Sequence, residues 1–272
     1  MAMRQAVIQR HHVTERGVAG PRVVLAHGFG CDQRMWRHVA DDLAHDHRVV
    51  LFDHVGSGRA DASAWSPERY DSLDGYRDDV LALLEAIGDE PVVYVGHSIS
   101  GSIGLMAALV APERFARLIM LAPNPCFVND GDYVGGFERS DIMDLLELME
   151  RNMLGWANFL APVAVKSDEQ PELVEEMRAS LCSGDPAILR QFARVVFLSD
   201  IRPLLGQVTV PTLLLQCADD GIAPLAVGDY LAAHIPGSTL RRMRATGHCP
   251  HLSHPAETIA LIRGYLGQAG AD

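Results

Sequence analysis

The 272-residue chain is 48% hydrophobic and carries 35 acidic against 23 basic residues, a net charge of −12. That length and apolar content suit one α/β domain with an insertion, and the acidic balance argues against nucleic acid or an anionic membrane as partner, since both require a basic face. The amino terminus lacks the apolar stretch of a secretion signal, and no apolar run reaches the ~18 residues of a membrane span. With five cysteines at unpaired spacings, these features predict a cytoplasmic protein with free thiols.

In chain order, apolar runs bounded by turn residues predict strands at about Ala6–Gln9, Arg22–Ala26, Arg48–Phe52, Val92–Val95, Leu118–Ala122, Thr212–Gln216 and Thr239–Met243. The amino-terminal pieces ending at Gly17 and Gly20-Pro21 read as antiparallel edge strands. Helical periodicity covers Arg34–Leu43, Leu73–Ile87, Ser100–Leu109, Ala226–His234 and Pro255–Leu266. The alternation predicts a mostly parallel eight-stranded sheet with helices on both faces. It breaks between 124 and 198, where three helical stretches (Met143–Met153, Glu172–Leu181 and Ala187–Val196) follow one another without a strand. This segment is expected to be an inserted helical lid, with Pro162, Pro171 and Pro186 at turns, above a core made of 1–123 and 199–272.

Gly96-His97-Ser98-Ile99-Ser100 joins the run Val92–Val95 to the helical stretch after it. It departs from the nucleophile-elbow pattern G-x-S-x-G at its last position, where Ser100 replaces glycine and Gly101 follows. Ser98 there needs a base and a group to orient that base, and the chain order serine, acid, histidine is met by Ser98, Asp220 and His248. Asp219 is a rival acid; the spacing from Asp220 to Pro224 favours Asp220. His27-Gly28-Phe29-Gly30 follows the strand Arg22–Ala26 and makes the backbone N–H groups of Phe29 and Ile99 the candidate oxyanion donors.

Three other signals read as structural. His248, His251 and His254 repeat every third residue, but a base and a helix cap account for two of them, so no metal or other cofactor is expected. Gly56-Ser57-Gly58 lacks a lysine and lies near Asp53, so it reads as a tight turn and not a phosphate loop. Cys249 reads as a small buried filler. Phe29, Phe127, Phe137, Leu160 and Phe197, with His97 beside the nucleophile, are expected around a dry pocket suited to a small hydrophobic substrate.

His27–Gln33, Phe52–Gly58, Arg69-Tyr70, Leu73–Tyr76, Gly96–Ser98, Asn129-Asp130, Gly135–Glu138, Phe197–Asp200, Gln216–Asp220 and Gly247–His251 together resemble the RsbQ-like α/β-hydrolases, a family that includes plant karrikin and strigolactone receptors. The resemblance extends over nearly the whole chain. It implies an α/β-hydrolase fold with a four-helix lid and hydrolysis of a small hydrophobic ester or lactone. It also implies a role as positive regulator in stress signalling beside a PAS-containing, RsbP-like phosphatase. On the same basis the triad carries to Ser98, Asp220 and His248, the oxyanion donors to Phe29 and Ile99, and pocket positions to Phe127, Leu160 and Phe197.

Overall fold

The computed structural model describes residues 2–166 and 169–267. The chain opens with a helix, α1 (Ala2–Arg10), where a strand was expected at Ala6–Gln9. The apolar run Ala6-Val7-Ile8 is only three residues long and is flanked by Met3, Arg4, Gln5, Gln9 and Arg10, all good helix formers. With no neighbouring strand to pair it, helical bonding takes the segment. The antiparallel edge is supplied instead by a short strand, β1 (Thr14–Arg16).

Next come β2 (Arg22–Ala26), a 3₁₀ turn (Gln33–Trp36) leading into α2 (Arg37–Leu43), β3 (Arg48–Phe52), α3 (Leu73–Ile87), β4 (Val92–His97), α4 (Ile99–Val110) and β5 (Phe115–Leu121). Four helices follow without an intervening strand: α5 (Arg139–Arg151), α6 (Met153–Val165), α7 (Pro171–Leu181) and α8 (Pro186–Leu198). The chain ends with β6 (Thr212–Gln216), α9 (Leu225–His234), β7 (Thr239–Arg242), the short α10 (Pro250–Ser253) and α11 (Pro255–Gly267). Pro171 and Pro186 open α7 and α8, but Pro162 lies inside α6 and not at a turn.

The strands pair in the order β1-β3-β2-β4-β5-β6-β7, seven among the described residues where eight were expected, and all are parallel except β1 against β3. Alternate residues feed two separate cores. Val24, Ala26, Val50, Phe52 and Tyr94 face α3, α4 and the helical insertion, whereas Val23, Leu25, Val49, Leu51 and Val95 face α2 and α11. Because both faces are covered, the loops that follow the strands are left at the carboxyl edge of the sheet, and the chemistry-bearing residues collect there. Among the described residues no helix is long and apolar enough to cross a membrane.

Leu25 is fully buried in a strand flanked on both sides. Leu25→Ala is expected to cost about 2–5 kcal/mol, read as a fall in the urea midpoint at unchanged slope.

Candidate active site

The turn between β4 and α4 places Ser98 at φ 54° and ψ −125°, left-handed backbone that a side chain adopts only under strain. The Ser98 N–H is held by the carbonyl of Leu121 at 2.8 Å. A side chain at Gly96 would place its Cβ 2.4 Å from the Ser100 carbonyl, so the turn closes only around glycine there. Ser100 itself fits because its hydroxyl has partners: it donates to the His27 carbonyl at 2.5 Å and accepts from His54 Nε2 at 2.7 Å. The departure from G-x-S-x-G thus ties the elbow to the loop after β2.

Ser98 Oγ donates to His248 Nε2 at 2.7 Å, and His248 Nδ1–H donates to Asp220 Oδ2 at 2.7 Å. All three side chains are buried. Burial alone would raise the Asp220 carboxyl, but the imidazole beside it and the N–H groups of Ile222 and Ala223 outweigh burial and hold it below the usual carboxylate range. Asp219 points elsewhere, pairing with Lys166 Nζ at 2.5 Å. The sequence favoured Asp220 over its neighbour, and the geometry brings Asp220 to the imidazole.

Gly28 lies against the elbow. A Cβ there would sit 2.6 Å from His97 Nδ1 and 3.2 Å from Ser98 Cβ, so only a bare backbone brings the loop after β2 this close. Among the described residues the backbone N–H groups of Phe29 and Ile99 have no hydrogen-bond partner, leaving two donors beside Ser98. His27 shapes that loop: its Nε2 accepts from the His54 N–H, and its protonated Nδ1 donates to the Gly28 carbonyl.

His97 is buried beside the elbow and its Nε2–H donates to the His248 carbonyl at 2.7 Å. Burial, with His248 nearby, depresses it to about 3, so it stays neutral and is not a base. His251, packed between Trp36 and His97, is also held neutral by burial. His254 Nδ1 meets Ser253 Oγ, and among the described residues no group of His, Cys, Asp or Glu could hold a metal ion. The Gly56-Ser57-Gly58 segment is a turn closed on Asp53, whose carboxylate accepts from the N–H groups of Gln33 and Arg59.

The cavity at Ser98 is narrow: about 40 Å³ is open to the centre of a water molecule, room for a few waters. Phe29, His97, Phe127, Leu160 and Phe197 lie along it. Phe137 does not; it lies behind Phe197, ring centroids 6.4 Å apart, with its N–H bonded to the Phe127 carbonyl. The sequence reading missed Met177 and Leu181 as lining residues, although their i,i+4 spacing puts them on one face of α7. It also missed Cys31 and, as a lining residue, Cys249, whose burial raises both thiols, Cys31 to about 12, leaving them protonated and inert. A larger cleft of about 710 Å³, between the start of α3 and the end of α8, shares no residue with this cavity.

Residues 23–261 match the alpha/beta hydrolase family. The karrikin insensitive 2 receptor CA of Petunia hybrida is 36% identical over 261 residues, which is 96% of this chain and 97% of that protein. Strigolactone esterase D14 of Arabidopsis thaliana is 39% identical over 249 residues, 91% of this chain and 93% of that one. Among solved structures, a hydrolase from Oleispira antarctica aligns with a TM-score of 0.95 at 40% identity, covering 97% of both chains.

An unfolded histidine takes up a proton near 6.5, whereas folded His97 does so only near 3. The unfolded chain therefore binds more protons across that window, and stability falls as the pH drops from 6.5 toward 3. Buried His54 and His251, also held low, act in the same direction. Urea midpoints measured between pH 7 and pH 4 should fall steadily, and replacing His251 with phenylalanine should flatten the slope.

Proposed function

The chain belongs to the alpha/beta hydrolase family, and from that premise we propose that it is a serine hydrolase of small hydrophobic esters or lactones. The observation that carries the reading is the unbroken line of hydrogen bonds from Ser98 through His248 to Asp220, each 2.7 Å long. Ser98 Oγ attacks the acyl carbonyl while His248 Nε2 takes its proton. The negative charge that develops on the carbonyl oxygen is received by the N–H groups of Phe29 and Ile99. His248 then returns the proton to the departing alcohol, leaving an acyl group on Ser98. Water attacks that ester, again giving its proton to His248, which passes it to Ser98 Oγ as the acid leaves. Asp220 holds the imidazole in the tautomer that this cycle needs and stabilises the imidazolium.

Helices α5–α8 act as a lid. Met177, Leu181, Leu160 and Phe197 give the cavity an apolar lining with no charged side chain other than the reacting groups. This favours an uncharged substrate whose one polar feature is the scissile carbonyl.

The small volume of the cavity favours a second reading, in which hydrolysis is slow and the acylated or ligand-bound protein is itself the signal, as the receptor relative suggests. A PAS-domain phosphatase would then be the protein that reads it. Intact mass measurements after mixing with a lactone panel separate the two: a persistent adduct supports the receptor role, rapid release of acid the plain enzyme.

A fluorophosphonate probe should label the wild type and not Ser98→Ala; equal labelling would overturn the reading. Asp220→Asn should lower ester turnover by about 10⁴-fold. Asp219→Asn, which loses a half-exposed ion pair of at most about 1 kcal/mol, should lower it no more than about fivefold.

A further inference from the structure

Four consecutive residues at the end of α6 touch the two loops that carry the acid and the base. Val163 Cγ1 lies 3.0 Å from the position a Cβ on Gly221 would take, next to Asp220. The Ala164 carbonyl accepts the His248 N–H at 2.7 Å. The Val165 carbonyl lies 2.2 Å from where a Cβ on Gly247 would be, and Gly247 has φ +79°, so both the backbone and the approach of α6 demand glycine there. Lys166 pairs with Asp219. The two loops are joined to each other by the Gly247 N–H on the Asp219 carbonyl at 2.8 Å.

Pro162 lies one residue before this segment; its ring has no N–H, so α6 lacks one backbone bond there, while the Lys166 N–H still closes on the Pro162 carbonyl at 2.8 Å. On the opposite side, His97 Nε2–H holds the His248 carbonyl. The backbone of the base is thus held on both sides, its N–H by the insertion and its C=O by the strand-end histidine.

We propose that the last turn of α6 is a positioning element for the acid–base pair, so that docking of the insertion sets the reach of His248 as well as covering the cavity. The inference rests on the serine-hydrolase reading for its kinetic arm. Val163 and the carbonyls of Ala164 and Val165 act through Gly221, Gly247 and His248; none touches the reacting atoms in this role. An insertion that lifts to admit a large substrate loosens the base at the same moment, and proton transfer waits until α6 is seated again.

Gly221 has no left-handed φ, so a side chain there strains only its contact with α6. Gly221→Val is the wedge, and Val163→Ala with Gly221→Val restores the space. With p-nitrophenyl acetate as probe, the wedge should lower kcat by about 10²-fold with KM little changed, because ångström-scale misplacement of a catalytic group costs that much. The double variant should recover most of the loss. In proton NMR of the ligand-free protein, the low-field signal of His248 Nδ1–H on Asp220 should weaken in the wedge and return in the double variant.

A wedge that changes KM or the range of accepted esters while kcat and the low-field proton stay as in the wild type would overturn the proposal, leaving α6 a cover and nothing more. If Gly221→Val does not fold by thermal unfolding, Gly221→Ala, whose Cβ still meets Val163 at 3.0 Å, reads the same split. Failure of the wild type itself to label with a fluorophosphonate would sink the serine-hydrolase reading separately, and the NMR arm would still decide the clamp.

Discussion

The left-handed backbone at Ser98 is the constraint around which the site is arranged. Holding a side-chain-bearing residue at φ 54° costs about 1–3 kcal/mol, and the turn has no slack with which to relieve it. The Leu121 carbonyl ties its N–H, Gly96 leaves no gap beneath Ser100, and α4 begins at the next residue. That backbone brings the hydroxyl within 2.7 Å of His248 Nε2, while Gly28 lets the loop after β2 press against the same turn.

The surroundings of the elbow are buried and mostly neutral. His54, His97 and His251 are buried and kept uncharged; His54 and His97 each give one hydrogen bond and His251 packs by ring contact alone, so none competes for the proton between Ser98 and His248. Two buried carboxylates lie beside them: Asp53, which accepts two backbone N–H groups, and Asp220, satisfied by two backbone N–H groups and one imidazole. In a low-dielectric cavity an unpaired charge would be expensive, and each paired one acts strongly over a short distance. Glu257 does related work behind the loop of His248: its carboxylate accepts the N–H groups of Arg244 and Ala245, fixing where that loop leaves the end of β7.

Much of this was legible from residue order. The alternation of apolar runs with helical stretches located the inner strands, and the placement of Ser98, Asp220 and His248 after three different strands put them on one edge. The amino-terminal segment was not legible, because three apolar residues suit a strand or a helix equally and only the lack of a pairing partner decides. Pro162 was misread for a related reason: proline breaks isolated helices, but inside α6 the neighbouring loops hold the turn that follows it. Phe137 carried the right chemistry for a pocket residue, yet its backbone bond to Phe127 turns it behind Phe197.

By itself the sequence determined the fold class, the candidate nucleophile and base, and a preference for Asp220 over Asp219 as the acid, since these depend on local turn chemistry and on strand order. The tertiary structure alone decided that Asp220 meets the imidazole while Asp219 pairs with Lys166, that α7 supplies two walls of the cavity, and that the end of α6 grips the peptide of His248. Those outcomes turn on ångström-scale approaches between segments far apart in the chain. Side-chain direction and backbone contact at that scale are set by packing; spacing along the chain can favour an acid or a helix face but cannot say what it will meet.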